Sequence, residues 1–192
     1  RSRTNLDLPG VQQELLEEIY KVNPNIVLVL NNGRPLALPW AAKNIPAIVE
    51  AWHLGTQAGN AVAQVLYGDY NPSGKLPMSF PRNVGQCPIY YNFHNTGRPT
   101  NSNKYSTGRP GNNDSTVFWS HYSDVENTPQ FPFGFGLSYT SFDYKNLKIN
   151  KAIFAKGEPV IVSVEVTNSG NYDGKEVVQL YIHDEFASLA RP

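Results

Sequence analysis

The feature that most constrains the fold is an uninterrupted run of five aliphatic residues from Ile26 to Leu30. A run without polar alternation predicts a β-strand buried on both faces, and such strands belong to parallel sheets covered by helices. Residues 47–52 resemble a second strand, and residues 10–22 and 57–67 have helical spacing. The order helix, strand, strand, helix predicts a layered α/β fold in which the two strands run parallel.

The first predicted helix places its apolar residues at regular intervals. Val11, Leu15, Ile19 and Val22 recur at the spacing of one helical face, with glutamates beside them. This spacing predicts a helix over residues 10–22. Because only this one helix precedes the buried strand, we also expect that further strands of the same sheet lie upstream of the chain.

The second half of the chain follows a different pattern. Residues 92–130 are polar and aperiodic, and loops of this length in compact domains are usually functional or disordered. Alternation from Val160 to Val166 and a second run from Glu176 to Ile182 predict strands of a β-sandwich. A sandwich of the immunoglobulin kind needs about 100 residues. We therefore expect an α/β domain over residues 1–141, including the long loop, and an incomplete sandwich domain over 142–192.

Composition excludes several classes of partner and cofactor. Sixteen basic and sixteen acidic residues leave a net charge of zero, which argues against nucleic acid and against an anionic membrane surface. The four histidines lack metal-ligand spacing and the single cysteine, Cys87, has no partner, so no metal site is expected. The glycines of Gly134-Phe135-Gly136 are not followed by a helix with a third glycine, which argues against phosphate binding. No cofactor is expected.

Two stretches carry a specific family resemblance. Residues 59–81 read GNAVAQVLYGDYNPSGKLPMSFP, and residues 131–140 read FPFGFGLSYT. Together with RSRT at 1–4 and VLNNGRPL at 29–36, they closely resemble glycoside hydrolase family 3, of the bacterial periplasmic β-glucosidase and β-xylosidase type. The resemblance covers nearly the whole chain.

The resemblance implies a division of labour between domains. In that family a barrel domain supplies an aspartate nucleophile, a second α/β sandwich domain supplies a glutamate acid/base, and many members add a fibronectin-type-III-like domain. By resemblance, residues 1–141 are the later part of the second domain and 142–192 the start of the third. The barrel domain is absent, and the acid/base glutamate falls just ahead of Arg1. No catalytic carboxylate is therefore assigned to any residue of this chain.

Two acidic pairs within the chain are alternative candidates for catalytic carboxylates. Glu14 and Glu18 lie four residues apart on one helix, a spacing more typical of a solvated face. Asp124 and Glu126 lie in the polar loop near His121, where turn chemistry is the simpler explanation. Retaining glycosidases need two carboxyl groups on opposite sides of one bond, about 5–5.5 Å apart.

Three residues are candidates for substrate contact. Arg3 could orient the acid/base segment, because its fixed charge pairs with carboxylates; a plain surface arginine is the alternative. Trp119 and His121 lie in the aromatic loop, where rings can stack on a pyranose and polar tips can hold its hydroxyls. Packing within the loop is the alternative for both. Similar sequences often carry an arginine at the place of His121.

The leading hypothesis is a fragment of a retaining β-glycosidase that releases the nonreducing-end sugar from β-linked oligosaccharides. The fragment itself is expected to be inactive, to need the barrel domain of its own chain, and to self-associate through unpaired strands. The resemblance implies a periplasmic or secreted protein. The alternative is a noncatalytic carbohydrate-binding or adhesion module built from the aromatic loop and the sandwich.

Overall fold

The computed structural model describes residues 3–92, 120–122, 124–184 and 186. The chain divides into two compact units. Unit 1 comprises Arg1–Ala58, Leu76–Phe135 and Tyr181–Pro192, and unit 2 comprises Gly59–Lys75 and Gly136–Leu180. The boundary predicted between residues 141 and 142 stays a prediction.

Unit 1 contains three of the four predicted α/β elements, the first helix and the two strands. Helix α1 spans Gln12–Val22, strand β1 Val27–Leu30, helix α2 Pro39–Asn44 and strand β2 Ala47–Glu50. A short 3-10 helix follows at Val84–Gln86. The two strands pair in parallel, from Val27 opposite Ala47 to Leu30 opposite Glu50. The prediction of parallel strands is confirmed.

The core of unit 1 lies where α1 and α2 meet the sheet. Its buried members are aliphatic: Leu16, Leu30, Leu36, Leu38, Ala41 and Ile45. Tyr20 and Trp40 pack against this cluster, with their rings edge to face at 5.5 Å. Burying an aliphatic side chain of this size stabilises the fold by about 1.5–3 kcal/mol.

Three details of unit 1 differ from the sequence-based expectations. The first is the face of α1: Val11, Leu15, Ile19 and Val22 are 46–88% exposed, and the helix packs through Leu16 instead. An apolar stripe is typically the face that packs on a core. Leu16 is adjacent to the predicted stripe, so the helix is turned by about one residue, roughly 100° on a helix of 3.6 residues per turn.

The second difference is that β1 is not enclosed on both faces. Val27 is 48% exposed, and β2 is the only strand that pairs with β1 among the described residues. The third is the presence of α2, which the sequence did not predict because six residues are too few to show a helical period. Pro39 sits in its first turn, where a missing N–H costs nothing.

Backbone conformation sets two element ends. Gly10 has φ of 58°, a left-handed conformation, so α1 begins after it rather than at residue 10. Trp52 has φ of 51°, which ends the extended backbone of β2 at Glu50 rather than at residue 52.

Unit 2 combines a helix with an antiparallel pair of strands. Helix α3 spans Ala58–Tyr67, beginning at the last residue of unit 1, and strands β3 and β4 span Phe142–Ile149 and Val162–Asn168. The pairing shifts between Lys145 and Lys148, where Asn146 has φ of 55°. Within β4, Val162 and Val164 are half-buried while Ser163 and Glu165 are exposed, as the alternation predicted. Val160 and Val166, which the same alternation places on the face of Val162 and Val164, are 56% and 38% exposed.

The strand predicted over Glu176 to Ile182 is not formed. The backbone there is irregular, and β3 and β4 are the only strands of their sheet among the described residues. A β-strand requires a hydrogen-bonding neighbour, so an alternating sequence alone does not produce one.

Candidate functional site

The carboxyl ends of β1 and β2 bring together several polar side chains of unit 1. Ligands of parallel sheets commonly bind in the crevice at this edge. Residues 31–34 follow β1, and residues 51–54 follow β2. The parallel register places Leu30 beside Glu50, so the two loops leave the sheet side by side.

Glu50 is the acceptor at the centre of this edge. Its Oε2 accepts a hydrogen bond from Nδ2 of Asn32 at 3.2 Å, and its Oε1 accepts one from the backbone N–H of Trp52 at 3.0 Å. Desolvation raises the pKa of the Glu50 carboxyl, and the hydrogen bonds from Trp52 and Asn32 partly offset that rise.

Asn32 links the two loops. Besides Glu50, its Nδ2 donates to the backbone carbonyl of Arg34 at 2.8 Å. Because both partners are acceptors, the amide nitrogen must face them, which defines the orientation of the amide group. Its Oδ1 is buried, and no donor among the described residues reaches it.

Two aromatic side chains, Trp52 and His53, follow β2 at this edge. The indole of Trp52 lies edge to face with Phe80, with ring centroids 5.8 Å apart. His53 lies directly over Gly33: a Cβ placed on Gly33 would stand 2.5 Å from Nε2 of His53. Glycine at position 33 therefore permits the approach of the imidazole.

Arg3 is held at the same edge. Nη1 of Arg34 donates to the backbone carbonyl of Arg3 at 2.7 Å, and Nη1 of Arg3 donates to the carbonyl of Asp7 at 3.2 Å. The N–H of Ala37 also donates to the carbonyl of Leu6 at 2.9 Å. The segment that carries Arg3 is thus fixed by the loop that follows β1.

His121 lies in a short stretch whose backbone is fixed by one amide. Asn127 accepts from the N–H of Tyr122 at 2.9 Å and donates to the carbonyl of Ser120 at 3.0 Å. His121 itself is half-buried. The segments around Arg3 and His121 are held by different partners, and Trp119 lies outside the described residues.

Of the two acidic loop residues Asp124 and Glu126, Glu126 has a structural explanation. Glu126 forms an ion pair with Arg82 at 2.7 Å, and the guanidinium of Arg82 also binds the backbone and hydroxyl of Thr128. Gln86, which is buried, donates to the carbonyl of Glu126 at 2.7 Å. This network anchors the end of the loop.

The aromatic turn at 131–136 is a packing element. The N–H of Phe80 donates to the carbonyl of Phe131 at 2.8 Å, and Gly134, with φ of 78°, donates to the carbonyl of Leu76 at 2.8 Å. Phe131 stacks on Phe135, and Phe133 stacks on Tyr91. The glycine-containing motif therefore forms a turn that pairs with residues 76–80.

The part of the chain that the structure describes contains no group of three His, Cys, Asp or Glu side chains able to hold a metal ion. None of its helices is long and apolar enough to cross a membrane. Sequence reasoning named Arg3 and His121 but missed Asn32 and Glu50. The signal that could have found them is their position at the ends of two adjacent parallel strands.

Comparison with known proteins supplies the family. Residues 1–139 match the profile of the glycosyl hydrolase family 3 C-terminal domain. Over its whole length the chain is 46% identical to a periplasmic β-glucosidase of Salmonella typhimurium, covering 24% of that protein. It is 45% identical to a β-xylosidase of Formosa agariphila, with 98% of the chain and 24% of that protein covered.

Solved structures of β-glucosidases are also similar to this chain. A β-glucosidase from Listeria innocua in complex with glucose matches 97% of the chain and 25% of that structure, at 40% identity and a TM-score of 0.85. The chain spans about a quarter of the length of the relatives it matches. The profile match and the identity across the whole chain show that it belongs to glycoside hydrolase family 3 and carries the C-terminal domain of that family.

Proposed function

We propose that this chain works as part of a longer retaining β-glycosidase that removes the nonreducing-end sugar from β-linked oligosaccharides. The observation that carries the proposal is the 46% identity, over the entire chain, to a protein named a periplasmic β-glucosidase. The β-xylosidase of similar identity supports the glycosidase class without separating glucose from xylose. A periplasmic or secreted location is part of the proposal.

The proposed architecture follows from the same relatives. Unit 1 would belong to a layered α/β sandwich domain whose sheet continues beyond β1, and the strands of unit 2 would belong to a fibronectin-type-III-like sandwich. Two observations support this: among the described residues β1 has a pairing strand on one edge only, and the apolar face of α1 is exposed. A parallel sheet is ordinarily covered on both faces. A barrel domain of the same polypeptide would complete the enzyme.

The catalytic carboxylates would lie outside residues 1–192. Glu126 is engaged by Arg82, and Glu50 by Asn32 and Trp52, which supports noncatalytic roles for both. Arg3, Trp119 and His121 remain our proposed substrate-binding residues. Arg3 is the best supported, because two hydrogen bonds, from Arg34 to the carbonyl of Arg3 and from the N–H of Ala37 to the carbonyl of Leu6, hold its segment beside the loop that follows β1.

The test is to assay the chain alone and the proposed longer enzyme on aryl β-glucosides and β-xylosides. Positioned general acid catalysis alone contributes about 10²–10⁴-fold, and complete enzymes accelerate reactions by about 10⁶-fold or more. We expect turnover by the longer protein and none by the chain alone. Turnover by the chain within about tenfold of the longer protein would relocate the carboxylates into residues 1–192.

The same assay addresses the noncatalytic alternative. A carbohydrate-binding module would bind oligosaccharides without hydrolysing them, in the chain and in the longer protein alike. Binding without turnover in the longer protein would favour the module.

A further inference from the structure

We propose that Glu50 is a positioning residue that acts through Asn32 and Arg34 to hold the backbone of Arg3 in place. The inference rests on the proposed function, because it assigns Glu50 to the site to which Arg3 would belong. Glu50 would not touch the substrate. It would set the position of a segment that does.

The first step is the contact across the two loops. Glu50 accepts two hydrogen bonds, from Asn32 Nδ2 and from the N–H of Trp52, at 3.2 and 3.0 Å. A carboxylate suits this place because both of its oxygens are acceptors. Glutamine in the same position would turn its NH₂ group toward one of the two donors, so one contact would become donor against donor.

The second step is the path from Asn32 to Arg3. The same amide nitrogen of Asn32 holds the carbonyl of Arg34 at 2.8 Å, which fixes the backbone from which the Arg34 side chain extends. That side chain reaches the carbonyl of Arg3 at 2.7 Å. Three consecutive polar contacts therefore connect the end of β2 to the segment 3–7, across the end of β1.

The surroundings of Glu50 indicate a specialised place. The carboxyl is half-buried, and the adjacent Trp52 holds a left-handed backbone, φ 51°, that bulky residues rarely adopt. The contact from Glu50 to the N–H of Trp52 helps to hold that conformation. Strained residues concentrate at functional sites, where the surrounding structure must maintain them.

The network also explains why the partners are an amide and a carboxylate. Asn32 Oδ1 is buried with no donor among the described residues, so the amide contributes through its nitrogen, which donates to two acceptors. An apolar residue at position 32 would leave the Arg34 carbonyl and one Glu50 oxygen without this donor.

The experiment compares variants in the longer enzyme proposed above: Glu50→Gln, Asn32→Ala, Arg34→Ala and Arg34→Lys, with Glu14→Gln as the control. Glu14 is an exposed carboxylate of α1. Three quantities are measured on folded protein: kcat and KM on an aryl β-glycoside, and hydrogen–deuterium exchange of the peptide that covers residues 3–8.

We expect Glu50→Gln, Asn32→Ala and Arg34→Ala each to lower kcat by about tenfold to a hundredfold, because misplacement by about 1 Å can cost 10²-fold. KM should change less than kcat, because the substrate contacts outside this segment are not altered. Exchange in residues 3–8 should quicken in the same three variants. Arg34→Lys keeps one donor and should recover most of kcat, and the Glu50→Gln/Arg34→Ala double variant should lose no more than the worse single one.

A merely structural role gives a different pattern. It would lower the fraction of folded protein, leave kcat per folded molecule unchanged and make the two single effects add. That pattern, or unchanged exchange at residues 3–8 in Glu50→Gln, would overturn the inference. If the longer protein has no glycosidase activity, the proposed function fails, and the exchange measurement still decides whether Glu50 controls the Arg3 segment.

Discussion

Nζ of Lys75 lies 3.3 Å from Oε1 of Glu176, and both side chains are nearly enclosed within unit 2, at 15% and 13% exposure. The same ammonium group donates to the carbonyl of Gly136 at 2.9 Å. The stability of an ion pair this buried depends on both partners. If one is removed, the other charge still carries the cost of desolvation but has lost its Coulomb attraction.

We therefore expect Glu176→Gln and Lys75→Met each to lower the free energy of unfolding by about 1–3 kcal/mol. The measurement is urea-induced unfolding. Lys21→Met is the control, because Lys21 and Glu18 form a pair that is exposed on α1 and should contribute little. Equal effects of Lys75→Met and Lys21→Met would contradict the importance of burial.

Gly136 is a position in unit 2 that cannot accept a side chain without a shift of the backbone. A Cβ placed there would stand 2.3 Å from the backbone oxygen of Gly74, and a backbone oxygen cannot swing aside. Gly136→Ala should destabilise the chain by about 1–3 kcal/mol. The matched control is Gly59→Ala in α3, where the Cβ meets open space and should stabilise the helix by about 0.5–1 kcal/mol. Thermal unfolding of both variants checks the opposite signs.

Glu50 should make stability fall as pH rises. Its folded-state pKa is raised, mainly by desolvation, above the ordinary value of 4.5. Below that value both states bind the proton. Between the unfolded and folded pKa values only the folded state keeps it, so the free energy of unfolding decreases with rising pH until the folded pKa is passed. Glu50→Gln should remove this component, as measured by thermal unfolding across the acidic range.

Glu158 provides the control of opposite sign. Hydrogen bonds from Lys151 and from the N–H of Ala155 hold the pKa of its carboxyl below the ordinary value. Its contribution is present above the unfolded pKa and is lost as pH falls through the folded one. Glu158→Gln should therefore flatten the acid-side loss of stability. A Glu50→Gln variant that behaved like Glu158→Gln would refute the sign predicted for Glu50.

Self-association should involve the β3–β4 sheet. A two-stranded sheet is marginal by itself, and an unpaired strand edge accepts another chain. Ile149 in β3 is 56% exposed and adds apolar surface at the strand end. We expect the isolated chain to grow in mass with concentration in light scattering, and Ile149→Lys to reduce this while Ile149→Val does not. A monomer at high concentration would exclude the prediction.

Local patterns were sufficient for much of the fold. The apolar run at 26–30 and the short connection to the predicted strand at 47–52 predicted a parallel pair, because both the run and the connection are properties of neighbouring residues. The alternation around Val162 and Val164 predicted their half-buried face. The motifs at 59–81 and 131–140 predicted the family that the comparisons show.

Other features depend on contacts that a local pattern does not contain. The stripe from Val11 to Val22 predicted a helix but not which side packs, because Leu16 is placed by the sheet and α2. Glu176 to Ile182 has a strand-like sequence, yet a strand forms only beside a partner.

In the candidate site, too, some residues were indicated by the sequence and others only by the tertiary structure. Sequence by itself indicated Arg3 and His121, because charge, aromatic context and resemblance are visible residue by residue. It did not indicate Glu50 and Asn32, which are 18 residues apart and meet only because β1 and β2 end at the same edge. Periodicity indicates which elements can form and the motifs indicate the family, whereas hydrogen bonds between distant residues exist only once those elements pack together.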